Sequence, residues 1–227
     1  MNTTNSHAAK AGLEKMGLRS DRIFVLPNAV EEQYFSFPPA AVPADQPVRI
    51  LWLANNRPFK RLDVAARCFQ ALLKRAPGKF HMVIAGLRTD GPQEQAQFCD
   101  GAGPLAKSHI SFVGPVKDVA RAMSECQVFL LSSDYEGMPN TVNEAMASGL
   151  CVVARPAGGT VELVEDKVTG RICSEEDLPA TLGDVVLDRA AILRYGTAAR
   201  ASAADRGGLK ALADNLLHIY GRILEAG

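Results

Sequence analysis

No apolar run in the 227 residues approaches the length of a membrane span, and the start Met1-Asn2-Thr3-Thr4 lacks the apolar core of a signal peptide. Those two absences make a cytoplasmic protein the expectation. An excess of charge of either sign is also missing. Lys+Arg and Asp+Glu number 25 each, so the chain has neither a global basic field for nucleic acid nor an acidic tail. Small molecules are the expected partners, and nucleic acid is not. The five cysteines (Cys68, Cys99, Cys126, Cys151, Cys173) contain no C-x-x-C pair. They are odd in number, widely scattered and mostly beside apolar residues, which reads as buried thiols and excludes a disulfide frame or zinc site. The four histidines lie far apart with no H-x3-H spacing, so no metal and no cofactor is expected. A nucleophilic serine elbow and a cysteine set among polar partners are likewise missing. There is no internal repeat and no low-complexity tract.

What is present is a large apolar fraction, 47% against 22% charged, ordinary for a soluble α/β domain. Residues 6–17 have the apolar spacing of a short helix, and 22–26 read as a strand ended by Pro27-Asn28. Residues 36–47 carry prolines at 38, 39, 43 and 47 and read as a linker. The piece before it, 1–35, is too small to bury its own apolar faces and reads as the remnant of a first domain. From residue 48 onward strand-like runs alternate with helical patterns. The strands are expected at 48–54, 80–85, 109–113, 128–131, 151–154 and 170–173. The helices are expected at 62–75, 93–107, 119–126, 141–148 and 161–164, followed by a mostly helical end from 178 to 224 with a break at Gly207-Gly208. Such alternation implies a doubly wound parallel sheet, Rossmann-like, with right-handed crossovers. Ligands of such sheets bind beyond the carboxyl ends of the strands.

Most of these strands run into something small or polar. Ala54 is followed by Asn55-Asn56-Arg57-Pro58-Phe59-Lys60-Arg61, Ala85 by Gly86, Val113 by Gly114-Pro115 and Ala154 by Arg155-Pro156-Ala157-Gly158-Gly159. Glycine in such places lets a backbone approach a ligand closely. The run Val128-Phe129-Leu130-Leu131 enters Ser132-Ser133-Asp134-Tyr135-Glu136-Gly137-Met138-Pro139-Asn140 and restarts as a helix, so this loop sits where backbone N–H groups and a helix dipole favour an anion. The result is a cleft of backbone amides, three basic side chains and two carboxylates, Glu136 and Glu144. That composition suits a nucleotide diphosphate carrying a polyhydroxylated group. Bland readings stand beside it. Thr141-Val142-Asn143-Glu144 fits a capping box, and Lys60 and Arg61 fit the exposed start of a helix. Gly101-Ala102-Gly103-Pro104-Leu105-Ala106 matches a dinucleotide fingerprint by letter, but it follows a polar helical stretch and contains proline, which excludes it.

Asp134-Tyr135-Glu136-Gly137-Met138-Pro139-Asn140, Glu144-Ala145-Met146-Ala147-Ser148-Gly149, Val152-Val153-Ala154, Gly158-Gly159, Glu162-Leu163-Val164 and Thr169-Gly170 closely resemble the donor-binding half of retaining GT-B glycosyltransferases of the glycosyltransferase-four type. The likeness extends to Ile110-Ser111-Phe112-Val113-Gly114 and to Val25-Leu26-Pro27-Asn28-Ala29-Val30 with Phe35, while the family's acceptor-binding first domain is almost wholly missing. The resemblance implies the C-terminal half of a GT-B architecture over 48–227. It implies that Glu136 lies near the donor sugar hydroxyls, that Glu144 accepts from the ribose and that Lys60 meets the diphosphate. The amides of Gly137, Met138, Pro139, Asn140 and Thr141 would approach phosphates and sugar, and the loop after Gly114 would hold the base. Where the family usually has an arginine five residues before the lysine, this chain has Asn55, and Arg57 is the nearest substitute.

The implied activity is transfer of a sugar from a nucleotide-diphosphate sugar to an acceptor sugar or glycan-lipid with retention of configuration, and a lipid-borne acceptor would bring the protein to a membrane periphery. Two other readings compete: a sugar-nucleotide binding module without turnover, and a sugar-nucleotide epimerase.

Overall fold

The computed structural model describes residues 2–55, 57–87, 92–100 and 104–225. The chain opens with β1 (Asn2–Thr4) and α1 (His7–Lys15), then β2 (Ile23–Val25), which pairs parallel with β1. Strand β1 is not apparent in the sequence, because three polar residues carry no hydrophobic period. A short 3-10 turn at Glu32–Phe35 follows. Residues 36–47 carry no helix or strand, yet they are held at several points. Arg189 reaches the carbonyls of Pro43 and Gln46, Arg200 donates to Phe37 O (3.0 Å) and Gln127 Nε2 donates to Ala41 O (3.2 Å).

The main body follows as β3 (Val48–Leu53), α2 (Leu62–Arg75), β4 (Phe80–Ala85), α3 (Pro92–Cys99), β5 (Ile110–Gly114), α4 (Val119–Ser124), β6 (Val128–Leu131), α5 (Asn140–Ala147), β7 (Cys151–Ala154), α6 (Thr160–Leu163) and β8 (Gly170–Ile172). It closes with α7 (Leu178–Leu187), α8 (Arg189–Asp205) and α9 (Leu209–Glu225). The six strands form one sheet in the order β5-β4-β3-β6-β7-β8, and every pairing is parallel. In this sheet Ile50 faces Met82 on one side and Val128 on the other.

Side-chain alternation along the strands divides the core into two layers. Ile50 and Trp52 pack with Phe69, Leu72, Leu182 and Ile192 on one face, and Leu51, Phe129 and Leu131 pack with Met123, Val142 and Met146 on the other. Both faces of the sheet are covered, so β6 and β7 are buried at all eight positions. Continuous apolar runs such as Val128-Phe129-Leu130-Leu131 are what a parallel sheet of this kind requires.

The α/β doubly wound parallel sheet expected from the sequence is the sheet found. One expected element is corrected. The expected helix over 93–107 is, among the described residues, two pieces: α3, which ends at Cys99, and a 3-10 turn at Pro104–Ser108, whose first residue, a proline, lacks an N–H. The rejected glycine fingerprint lies outside the described residues at 101–103.

Candidate functional site

In the sheet order, β3 continues to β4 on one side while β6 starts the second half on the other. The strands stay parallel, but the order in which the chain adds them to the sheet reverses between those two, and the loops leaving their carboxyl ends diverge to open a crevice. Lys60 comes from the loop after β3 and Glu136 from the loop after β6. Lys60 Nζ lies 2.7 Å from Glu136 Oε1, with both side chains largely shielded from solvent. Lys60 also sits over the Phe59 ring, 5.3 Å from its centroid.

Hydrogen bonds fix the two loops against each other beneath this pair. Trp52 Nε1 donates to Ser132 Oγ (2.8 Å), Ser132 Oγ donates to Lys60 O (2.8 Å), and Asp134 N donates to Phe59 O (2.8 Å). The third loop, after β7, joins through its glycines. Gly159 N donates to Gly137 O (2.7 Å). A Cβ at Gly158, where φ is +52°, would lie 1.8 Å from Glu136 O. Their place after a strand suggests ligand approach, but the near neighbour is the Glu136 loop. Gly86 is similar, since its Cβ would lie 2.5 Å from Ala54 O.

Arg61 carries a left-handed backbone (φ 51°) at the start of α2. Its guanidinium is committed to Asp63 (2.9 Å), Asp134 (2.8 Å) and Glu175 (3.0 Å). The hydrogen bonds it donates to Asp63, Asp134 and Glu175 push its pKa up. Arg155 joins the same carboxylates, reaching Asp134 (2.5 Å) and Glu175 (2.9 Å), and Arg67 also pairs with Glu175. The guanidinium of Arg155, followed by that of Arg61, holds the Asp134 carboxyl below its ordinary range. Arg61 therefore supplies no spare positive charge to the crevice. The sequence places Arg155 in the loop directly after β7 but points to no role for it, and nothing in the sequence singles out Glu175. Arg57 is exposed and donates its backbone N–H to Asn55 O (2.9 Å).

Glu144 stands apart from the Lys60 pair. It lies on α5, half-buried, and its partner is Tyr34 of the 3-10 turn, whose hydroxyl hydrogen-bonds the carboxylate. Burial, reinforced by nearby Glu31, raises the Glu144 pKa, and burial together with Glu144 pushes Tyr34 up to about 12. The capping box does not form. Helix α5 begins at Asn140 behind Pro139, and no side chain caps it. Its first-turn N–H groups at Asn140 and Thr141 are thus left without a side-chain cap, as an anion-binding helix end requires. Met138 is buried in the core, and Asn140 Oδ1 accepts from Asn28 Nδ2 (2.5 Å). Gly114 has φ +62° at the end of β5, and its carbonyl accepts from Gly86 N (2.7 Å).

The segment before α1 closes over the same loops. Ser6 is fully buried, and Gly137 and Gly159 lie close to Asn5 and Ser6. Glu162 accepts from His7 N (2.9 Å) and Ala8 N (2.8 Å), capping α1 from α6. Among the described residues no group of three or more His, Cys, Asp or Glu is arranged to hold a metal, and no helix is long and apolar enough to cross a membrane.

The described fold is similar to that of a glycosyltransferase from Rickettsia africae, with a TM-score of 0.82 over 99% of this chain and 64% of that one at 21% identity. It is also similar to Anabaena HepE in complex with UDP, with a TM-score of 0.83 over 97% and 63% at 20% identity. In sequence the chain is 32% identical to the amylovoran biosynthesis glycosyltransferase AmsK of Erwinia amylovora over 173 residues, which are 73% of this chain and 41% of AmsK. A GDP-mannose-dependent alpha-mannosyltransferase of Mycolicibacterium smegmatis is 34% identical over 168 residues, 70% of this chain and 42% of that protein. The chain thus spans about two fifths of the length of these relatives. Residues 47–190 match the model of the glycosyl transferases group 1 family, covering both loops of the crevice, and the chain belongs to that family.

Proposed function

We propose that this chain is the donor-binding half of a retaining glycosyltransferase, holding a nucleotide-diphosphate sugar in the crevice between the loops after β3 and β6. The observation that carries this reading is the Lys60–Glu136 pair at the reversal point of the sheet. An ammonium has three protons to donate. One goes to Glu136, and two remain for phosphate oxygens.

In the reaction the bond between the anomeric carbon and the diphosphate oxygen breaks. The bonding electrons leave with the nucleoside diphosphate, and the anomeric carbon bonds to an acceptor hydroxyl oxygen, whose proton passes to the departing diphosphate. The protein's part is to offset the charge developing on the leaving group through Lys60, the uncapped amino end of α5 and exposed Arg57. Glu136 orients the sugar hydroxyls, and Glu144, held by Tyr34, accepts from the ribose. The base lies along the loop after Gly114. The amides of Gly137, Met138 and Asn140 with Thr141 face phosphates and sugar; Pro139 has no N–H and serves by shaping the turn. Asn55 stands where a second phosphate-binding cation would be, so Lys60 bears more of the charge here.

In this reading residues 1–35 are the end of a first domain, 36–47 the link and 48–227 the donor domain, and the acceptor, a sugar or glycan-lipid, docks on a first domain that supplies the other wall. Anabaena HepE, which has a similar fold, forms complexes with UDP and with UDP and glucose, which supports a nucleotide sugar as donor. The competing reading is a sugar-nucleotide binding module without turnover.

Titration with UDP-, GDP- and ADP-sugars, followed by assay for release of nucleoside diphosphate, separates these readings. Saturable binding with turnover, in the presence of an acceptor half, supports the transferase. Saturable binding without turnover under the same conditions supports the module, and no binding of any nucleotide sugar overturns both.

A further inference from the structure

A cavity of ≈ 100 Å³ lies behind the donor loop, between the segment after β2, helices α5 and α6, and the amino end of α9. Asn28, Asn143, Arg206, Gly208, Leu212 and Asn215 are among its lining residues. Roughly 10–15 Å³ of such space holds one water, so there is room for several waters or for one small oxyanion. Arg206 enters from the carboxyl end of α8. Its acceptors are all neutral: Ser202 Oγ (2.8 Å), Asn143 Oδ1 (2.9 Å) and, at 3.6 Å, Met146 Sδ. Its Nε–H is buried with no acceptor among the described residues.

A guanidinium largely withdrawn from water with only neutral partners is an unfavourable arrangement, and an anion in the cavity would offset its charge. Burial alone lowers the pKa of Arg206, in keeping with the missing counter-charge. The wall opposite is the start of α9, a helix of 17 residues with no acidic residue in its first turn, whose positive dipole end adds to the same field. Asn143 Nδ2 spends one N–H on Asn28 O (3.4 Å) and keeps a second, while the exposed Asn215 amide marks the mouth.

We propose that this cavity is a second anion site, which takes a small oxyanion of the phosphate type against Arg206 and is separate from the crevice at Lys60. The test is calorimetric titration of the protein with inorganic phosphate at fixed ionic strength, with melting curves to establish that each variant is folded. The proposal expects one saturable site in the wild type, weakened at least tenfold in Arg206→Leu and in Asn215→Asp. The second change is isosteric and exposed, so it carries the test if Arg206→Leu does not fold. A hexose phosphate, too large for the cavity, is expected to bind this site at least tenfold more weakly, and equal affinity overturns the assignment to a small oxyanion. The proposal is also overturned by the absence of saturable binding, by unchanged affinity in Asn215→Asp, or by loss of the phosphate heat in Lys60→Ala, which assigns that heat to the donor crevice.

Discussion

Lys60 and Glu136 are 76 residues apart in sequence and meet at 2.7 Å because their strands are neighbours in the sheet. Each residue type was legible at its position, since both stand just past an apolar run and near Gly or Pro. Their pairing was not, because a contact of that separation depends on strand order, which a run of apolar letters does not encode. The same limit hid Tyr34 behind Glu144 and Glu175 behind Arg61 and Arg155. Glu144 shows how site chemistry opposes stability at a single residue. Burial raises its pKa above the ordinary 4.5, so folding favours the protonated form. Stability from this group is fully present below that ordinary value and is lost as pH rises through the raised one. Glu144→Gln, which buries no charge, is therefore expected to melt a few degrees higher than wild type at pH 7 and to lose that advantage below pH 4, while binding nucleotide more weakly. Thermal melts across pH, paired with titration, check both halves; an unchanged pH profile would contradict the assigned burial cost.

At the scale of elements, the strands from β3 to β8 and helices α2 and α5 lie where the apolar period places them. Three features were not legible. Strand β1 has no apolar pattern, the 93–107 stretch divides into α3 and a 3-10 turn, and the 36–47 segment is tied down by Arg189, Arg200 and Gln127, all far along the chain. The loops after β6 and β7 behave as one unit because Gly158 and Gly159 admit the backbone of residues 136–137 at a distance no side chain allows. Gly158→Ala puts a methyl group 1.8 Å from Glu136 O at a positive φ, a combination that forces the loops apart. The expected result is a protein that still folds, with its melting temperature lowered by several degrees and its nucleotide-sugar affinity reduced at least tenfold. Wild-type affinity in that variant would show that loop contact does not set the crevice.

For the whole molecule, the sheet is held between two apolar layers, and the layer under α2 is anchored by aromatic rings. Phe69 is fully buried, with its ring 5.8 Å from Phe80 and 5.6 Å from Phe98, centroid to centroid. Phe69→Ala is expected to cost about 3–5 kcal/mol, which in a domain of this size lowers the melting temperature by roughly 10 °C. Denaturant unfolding measures it, and a loss below about 1 kcal/mol would mean that the layer repacks around the gap. The neutral balance of 25 basic and 25 acidic residues gives no long-range field to attract a phosphate, so affinity for the donor has to come from the crevice itself. The most direct measurement is therefore calorimetric titration of UDP, GDP and ADP into the wild-type chain and into Lys60→Ala. The account predicts saturable binding of at least one of the three, weakened tenfold or more by the substitution in a variant that melts like the wild type. Equal affinity in the two proteins, or no binding of any nucleoside diphosphate, would contradict it.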